Sequence, residues 1–216
     1  MTSGDQVTGP TTPTTRRFPG LDVVGQRNHW DAETVAVVAA RLEAPALLRF
    51  FDVGESEIVT ALVQQLLALD GETSFGLCAS IDSRLADAFI DGWHYDSMPE
   101  DVVAWRRSVV ALDDESRMRF HASFIELDDV VRTRVVAGVQ DAGSGHWHGM
   151  PANRLWDLWL RYACTAYYAH PDAWNEIGFS GPAYPRGYKN TGIDKREPFE
   201  VKDAHPGEDP TRVTRT

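Results

Sequence analysis

The chain has 216 residues, 43% of them hydrophobic, with 21 lysines and arginines against 32 aspartates and glutamates, for a net charge of −11. That length supports one sizeable core without disulfide or metal staples. So acidic a surface repels phosphate backbones and anionic lipid, which argues against nucleic acid and membrane surfaces as partners. No apolar run approaches the ~18 residues of a membrane span, the longest being Val35 to Ala40, so membrane insertion is not expected.

Residues 1–17 are mostly Thr, Pro, Gly and Ser, with too few large apolar groups to offset ordering, and are expected to be disordered. Arg16-Arg17-Phe18 is similar to the start of a twin-arginine export signal, but the next residues are Pro19-Gly20-Leu21-Asp22, then Arg27, Asn28, His29 and Asp31. That stretch is too polar for an h-region. The expectation is an ordered N-terminal strap from Phe18 and a cytoplasmic protein, unless a partner carries it out.

From Trp30 the pattern is helical. Asp31 is placed to cap a first helix carrying Val35, Val38 and Leu42. A second places Ile58, Val59, Leu62, Val63, Leu66 and Leu67 on one face at spacings of three and four. A third carries Ile81, Leu85 and Phe89, with Ser80 as its expected cap. A fourth starts near Pro99 and runs through Val102, Val103, Val109 and Val110. A fifth, the longest by pattern, aligns Phe120, Phe124, Leu127, Val131 and Val135. The sixth, from about Pro151 to Ala169, has one apolar stripe at Leu155, Trp159 and Tyr162 and a second at Trp156, Leu160, Ala163 and Tyr167. A helix apolar on two faces is buried between neighbours or against a partner. No strand run is convincing. The fold class expected is all-α, a single domain of about six helices over residues 18–203, ending in an extended strap at 172–203 and a loose tail at 204–216.

The strap is broken by Gly178, Gly181, Pro182, Pro185, Gly187, Gly192 and Pro198, yet interleaved with Trp174, Ile177, Phe179, Tyr184, Tyr188 and Phe199. Aromatics spaced through an irregular segment pin it to a surface, its own or another chain's. Trp174, Ile177, Phe179, Tyr184, Arg186 and Tyr188 are therefore candidate partner anchors, because Tyr, Trp and Arg dominate binding hot spots. The alternative, that they staple the strap to this chain's own helices, stands beside it.

No catalytic or cofactor motif emerges. There is no G-x-G-x-x-G; the lone Gly143-Ser144-Gly145 has no strand before it. Nor is there a phosphate-binding P-loop, a C-x-x-C-H haem site or a G-x-S-x-G elbow. Cys78 and Cys164 are read as two buried thiols. A di-iron bundle needs Glu-x-x-His on two helices, and Asp91-Gly92-Trp93-His94 offers a single Asp-x-x-His. His146-Trp147-His148 could present two imidazoles on one side of an extended segment, which leaves open a small metal-dependent enzyme, although a polar loop explains it too. Asp113-Asp114-Glu115 is read as acid placed at a helix N-terminus. A helical adaptor unrelated to redox chemistry also remains open. No catalytic, cofactor-binding or metal residue is assigned to this chain.

One stretch is distinctive: Tyr167-Tyr168, then His170-Pro171, Trp174-Asn175-Glu176-Ile177-Gly178-Phe179, and Gly181-Pro182-Ala183-Tyr184-Pro185-Arg186-Gly187-Tyr188. It resembles the C-terminal signature of the gluconate 2-dehydrogenase small-subunit (subunit 3) family, and residues 18–190 resemble that family more loosely. The resemblance implies a non-catalytic accessory subunit that accompanies a large flavoprotein of the glucose–methanol–choline type. The large subunit would hold FAD and oxidise a sugar or sugar-acid hydroxyl, with a cytochrome often taking the electrons. Many small subunits of this kind supply the export signal for the pair, and the missing h-region here departs from that pattern.

Overall fold

The computed structural model describes residues 18, 20–43, 47–69, 71–89, 91–183, 187, 195–196 and 200–201. Helices dominate: α1 (Ala32–Ala40), α2 (Val53–Leu67), α3 (Gly71–Ala86), α4 (Asp101–Phe120), α5 (Asp129–Asp141), α6 (Ala152–Ala169) and α7 (Pro171–Ile177). A two-residue hairpin, β1 (His146–Trp147) and β2 (Met150–Pro151), pairs antiparallel with Trp147 opposite Met150. None of the described helices is long and apolar enough to cross a membrane. The all-α class holds. The chain divides into two compact units, one from 42–169 and one from both flanks, 1–41 and 170–216.

In the larger unit, Asp52 and Glu55 form a reciprocal capping box that starts α2, and Val59, Leu62 and Val63 carry its buried stripe. α3 begins well before Ser80. That residue is no cap, since its hydroxyl donates to the Gly76 carbonyl inside the helix. The buried carboxylate of Asp82 on α3 accepts the backbone N–H groups of Arg49, Phe50 and Phe51 at 2.7, 2.9 and 2.7 Å, fixing the chain that enters α2. Phe89 lies beyond the end of α3 and is exposed.

The buried face of α4 is Ala104, Trp105, Ser108, Val109, Ala111 and Leu112, while Val103 and Val110 point to solvent. This face meets α6, whose Leu155, Leu158, Trp159, Tyr162 and Ala163 are buried. The Trp159 indole donates to the Ser108 hydroxyl at 3.0 Å, and Trp105 meets Tyr162 edge-on at 5.6 Å. Of the second stripe on α6 only Ala163 is fully buried, and Trp156, Leu160 and Tyr167 are half-buried.

The long fifth helix is not one element. α4 stops at His121, whose φ of 58° is left-handed, a 3-10 turn spans Phe124–Glu126, and α5 starts afresh. Three features impose the break. Ser123 and Glu126 form a capping box, Asp113 accepts from the Phe124 N–H at 2.9 Å, and Asp128 caps α5 through the Val131 N–H. The Ser123 backbone and hydroxyl hold the Glu126 carboxyl below its ordinary range. Phe124, Leu127 and Val135 are still buried, so the apolar stripe survives although the helix does not.

The smaller unit is built around Val23, Trp30, Val38 and Trp174. Asp31 caps α1 through the Thr34 N–H at 2.9 Å, and the Asn175 side chain accepts from the Val23 N–H at 2.8 Å. The strap expected to be extended from 172 opens with α7 instead. Its first-turn proline, its His170 cap and the left-handed Gly178 that ends it are all local helix signals. Gly181, at φ +83°, packs so closely on Trp30 that a Cβ there would lie 2.6 Å from the indole.

Candidate functional site

Within the larger unit, the segment after α3 is the richest in exposed recognition chemistry. Gly92 takes a positive φ of 75°, turning the chain so that Trp93 and Tyr95 stand edge to face with ring centres 5.3 Å apart. Trp93 is 53% and Tyr95 38% exposed, high for side chains of this size. Two arginines from one face of α6 meet them. Arg154 lies over the Tyr95 ring at 3.7 Å and Arg161 over Trp93 at 5.4 Å.

The arginines are held by carboxylates. Arg161 pairs with Asp91 and, at 3.0 Å, with Asp101, while Arg84 pairs with Asp91 at 2.6 Å. Asp101, only 6% exposed, also accepts from the Tyr162 hydroxyl at 2.8 Å. Burial and the neighbouring Asp101 push the Tyr162 phenol above its ordinary range. Arg154 has a longer pair, 3.7 Å to Asp157. Together Trp93, Tyr95, Met98, Arg154, Leu158 and Arg161 line a cavity of about 290 Å³. The arrangement suits recognition, offering aromatic faces and fixed guanidinium donors.

Asp91-Gly92-Trp93-His94 has the spacing of half a metal motif, but the structure places it in a non-helical turn with Asp91 bound to two arginines, so its residues do not share a helix face. The partners of Trp93 and Tyr95 lie far along the chain, which is why spacing does not reveal them.

His146 and His148 do not line one side of an extended segment. His148 turns left-handed at φ 46°, and its Nε2 lies 3.0 Å from the Glu115 carboxylate. Among the described residues, no three His, Cys, Asp or Glu side chains gather as a metal site would require. Asp113, Asp114 and Glu115 sit far inside α4, not at its start, and Asp113 and Glu115 pair with Arg117 and Arg119 one turn on. Cys78 and Cys164 are both free thiols, Cys78 buried and Cys164 half-buried. Burial pushes the Cys78 thiol up to about 12.

The tail residues divide. Trp174 is 5% exposed and packs edge-on against Phe179 at 5.3 Å, so its ring serves its own unit. Ile177 and Phe179 remain 48% and 39% exposed. Tyr184, Arg186, Tyr188 and Phe199 lie outside the described residues.

The family model for gluconate 2-dehydrogenase subunit 3 matches residues 54–181, more than half of the chain. The chain belongs to that family. The match runs from α2 through α7 to Gly181, taking in the aromatic–arginine cleft and the Trp174–Phe179 stretch, with Tyr184, Arg186 and Tyr188 beyond its end. Comparison with curated proteins and with solved structures returned no significant match. The family's name makes its members subunits of a dehydrogenase complex.

Proposed function

We propose that the chain is the non-catalytic small subunit that binds and stabilises an FAD-dependent large subunit of the glucose–methanol–choline type, acting on a sugar or sugar acid. The observation that carries this reading is the family match over residues 54–181. Two features support it. The described residues present aromatic and arginine side chains suited to contact, at Trp93, Tyr95, Arg154 and Arg161, and the exposed Ile177 and Phe179 extend that chemistry to the C-terminal segment. In this reading FAD resides in the partner, electrons leave through a cytochrome or another acceptor, and the complex works in the cytoplasm unless the partner directs it elsewhere.

The test is co-expression with the flavoprotein of that type encoded in the same genome, with an affinity tag on either chain. Co-elution, flavin absorbance in the complex and none in the isolated small subunit are expected. Stoichiometric flavin on the small subunit after its partner is stripped away overturns the assignment, as does failure of the two chains to co-elute.

A further inference from the structure

We propose that the cleft formed by Trp93, Tyr95 and Arg154 is where the chain anchors that large subunit, an inference that rests on the accessory role above. The occupant is a loop of the partner that inserts one side chain into the cavity lined by these rings and sets an acceptor oxygen, a carboxylate or a main-chain carbonyl, on Arg154.

Three observations carry this. The first is the state of the anchors. Trp93 and Tyr95 are exposed but already locked against each other, and Arg154 and Arg161 are stacked on them. Side chains ordered before docking lose little rotamer freedom on docking, and buried Trp, Tyr and Arg contribute disproportionately to interfaces.

The second is charge. On a chain of net charge −11, Arg154 and Arg161 balance Asp101 and Asp157 in the lining of this cleft. An acidic partner loop therefore meets no net repulsion here. Arg161 is spent on two carboxylates, whereas Arg154 has one ion pair at 3.7 Å and keeps most of its five N–H donors for an incoming oxygen.

The third is size. A cavity of about 290 Å³ lies at the lower edge of the range that small-molecule sites occupy, and it fits an inserted side chain better than a cofactor.

The experiment measures Kd between the tagged full chain and the large flavoprotein subunit for Trp93→Ala, Arg154→Glu, Arg154→Lys and Val110→Ser. Val110 is an exposed apolar residue on α4 and serves as the control. Binding is expressed per folded molecule, with helix content read by circular dichroism. Trp93→Ala and Arg154→Glu should raise Kd at least about tenfold, and Val110→Ser less than about twofold. Arg154→Lys keeps the charge but loses the fork, so an intermediate loss is expected, and it keeps the test decisive if Arg154→Glu folds poorly. Wild-type affinity in the folded Trp93 and Arg154 variants overturns the cleft assignment and leaves the accessory role standing. Absence of binding by the wild-type chain overturns the accessory role itself.

Discussion

The Asp82 carboxylate accepts the backbone N–H of Phe51 at 2.7 Å, joining α3 to the chain that enters α2. The same oxygen takes the Phe50 N–H and the other oxygen takes that of Arg49, so a single side chain terminates three main-chain donors. Asp82→Ala leaves those donors without an acceptor and should lower stability by about 3 kcal/mol. Asp82→Asn keeps one acceptor oxygen and should lose less. Urea unfolding of both variants checks this, and a loss below about 1 kcal/mol for Asp82→Ala refutes the role given to it.

Gly181→Ala tests the smaller unit. The new methyl would lie 2.6 Å from the rigid Trp30 indole at a φ of +83°, so clash and backbone strain act together. A loss of about 2 kcal/mol or more is expected in hydrogen-exchange protection of α1 and α7, with protection in α2 through α6 retained. Unchanged protection of α1 and α7 contradicts the packing described.

Cys78 should resist alkylation. With its thiol pushed up to about 12 by burial, on the order of one molecule in ten thousand is thiolate at pH 8. Iodoacetamide should label Cys78 only in denaturant. The folded state also holds this proton more tightly than the unfolded chain. Its contribution to stability is therefore complete below the unfolded thiol's pKa of about 8.5 and is lost as pH rises toward 12. Cys78→Ala should flatten that decline. Labelling of the native protein at the rate of a free thiol refutes both expectations.

For the C-terminal segment, two quantities separate anchoring from stapling. Arg186→Ala and Tyr188→Ala should weaken co-purification with the large subunit while the isolated chain keeps its melting temperature. A lowered melting temperature with unchanged affinity per folded molecule assigns these residues to the chain's own packing. Trp174→Ala, by contrast, removes a ring buried in its own unit and should cost about 3 kcal/mol or more of stability.

Local signals and apolar spacing make most of the helices legible. The stripe at Val59, Leu62 and Val63 and the cap at Asp31 are where the spacing places them. The break between α4 and α5 is masked by a coincidence of register, because Phe124, Leu127 and Val135 stay buried across two changes of element. Reading Ser123 and Glu126 as a capping box would have exposed it. Val103 and Val110 mislead in the opposite sense, since half of the buried face of α4 is Ala or Ser, which carry little hydropathy signal, and Ser108 there takes the Trp159 indole. The cleft is out of reach of pattern reading. Asp91 and Arg161 are 70 positions apart, and nothing in a short aromatic turn announces a guanidinium from a distant helix.

The smaller unit draws on both flanks of the chain, and this dictates an order of events on the ribosome. Val23 and Asn175, which it joins by a hydrogen bond, are 152 positions apart. At roughly 5–20 residues per second, translation separates them by on the order of ten to thirty seconds. All of α2 to α6 emerges in that interval and can fold as a body of its own. Throughout it Val23, Trp30 and Val38 wait without Trp174, an apolar stretch open to chaperones until the last part of the chain arrives to cover it.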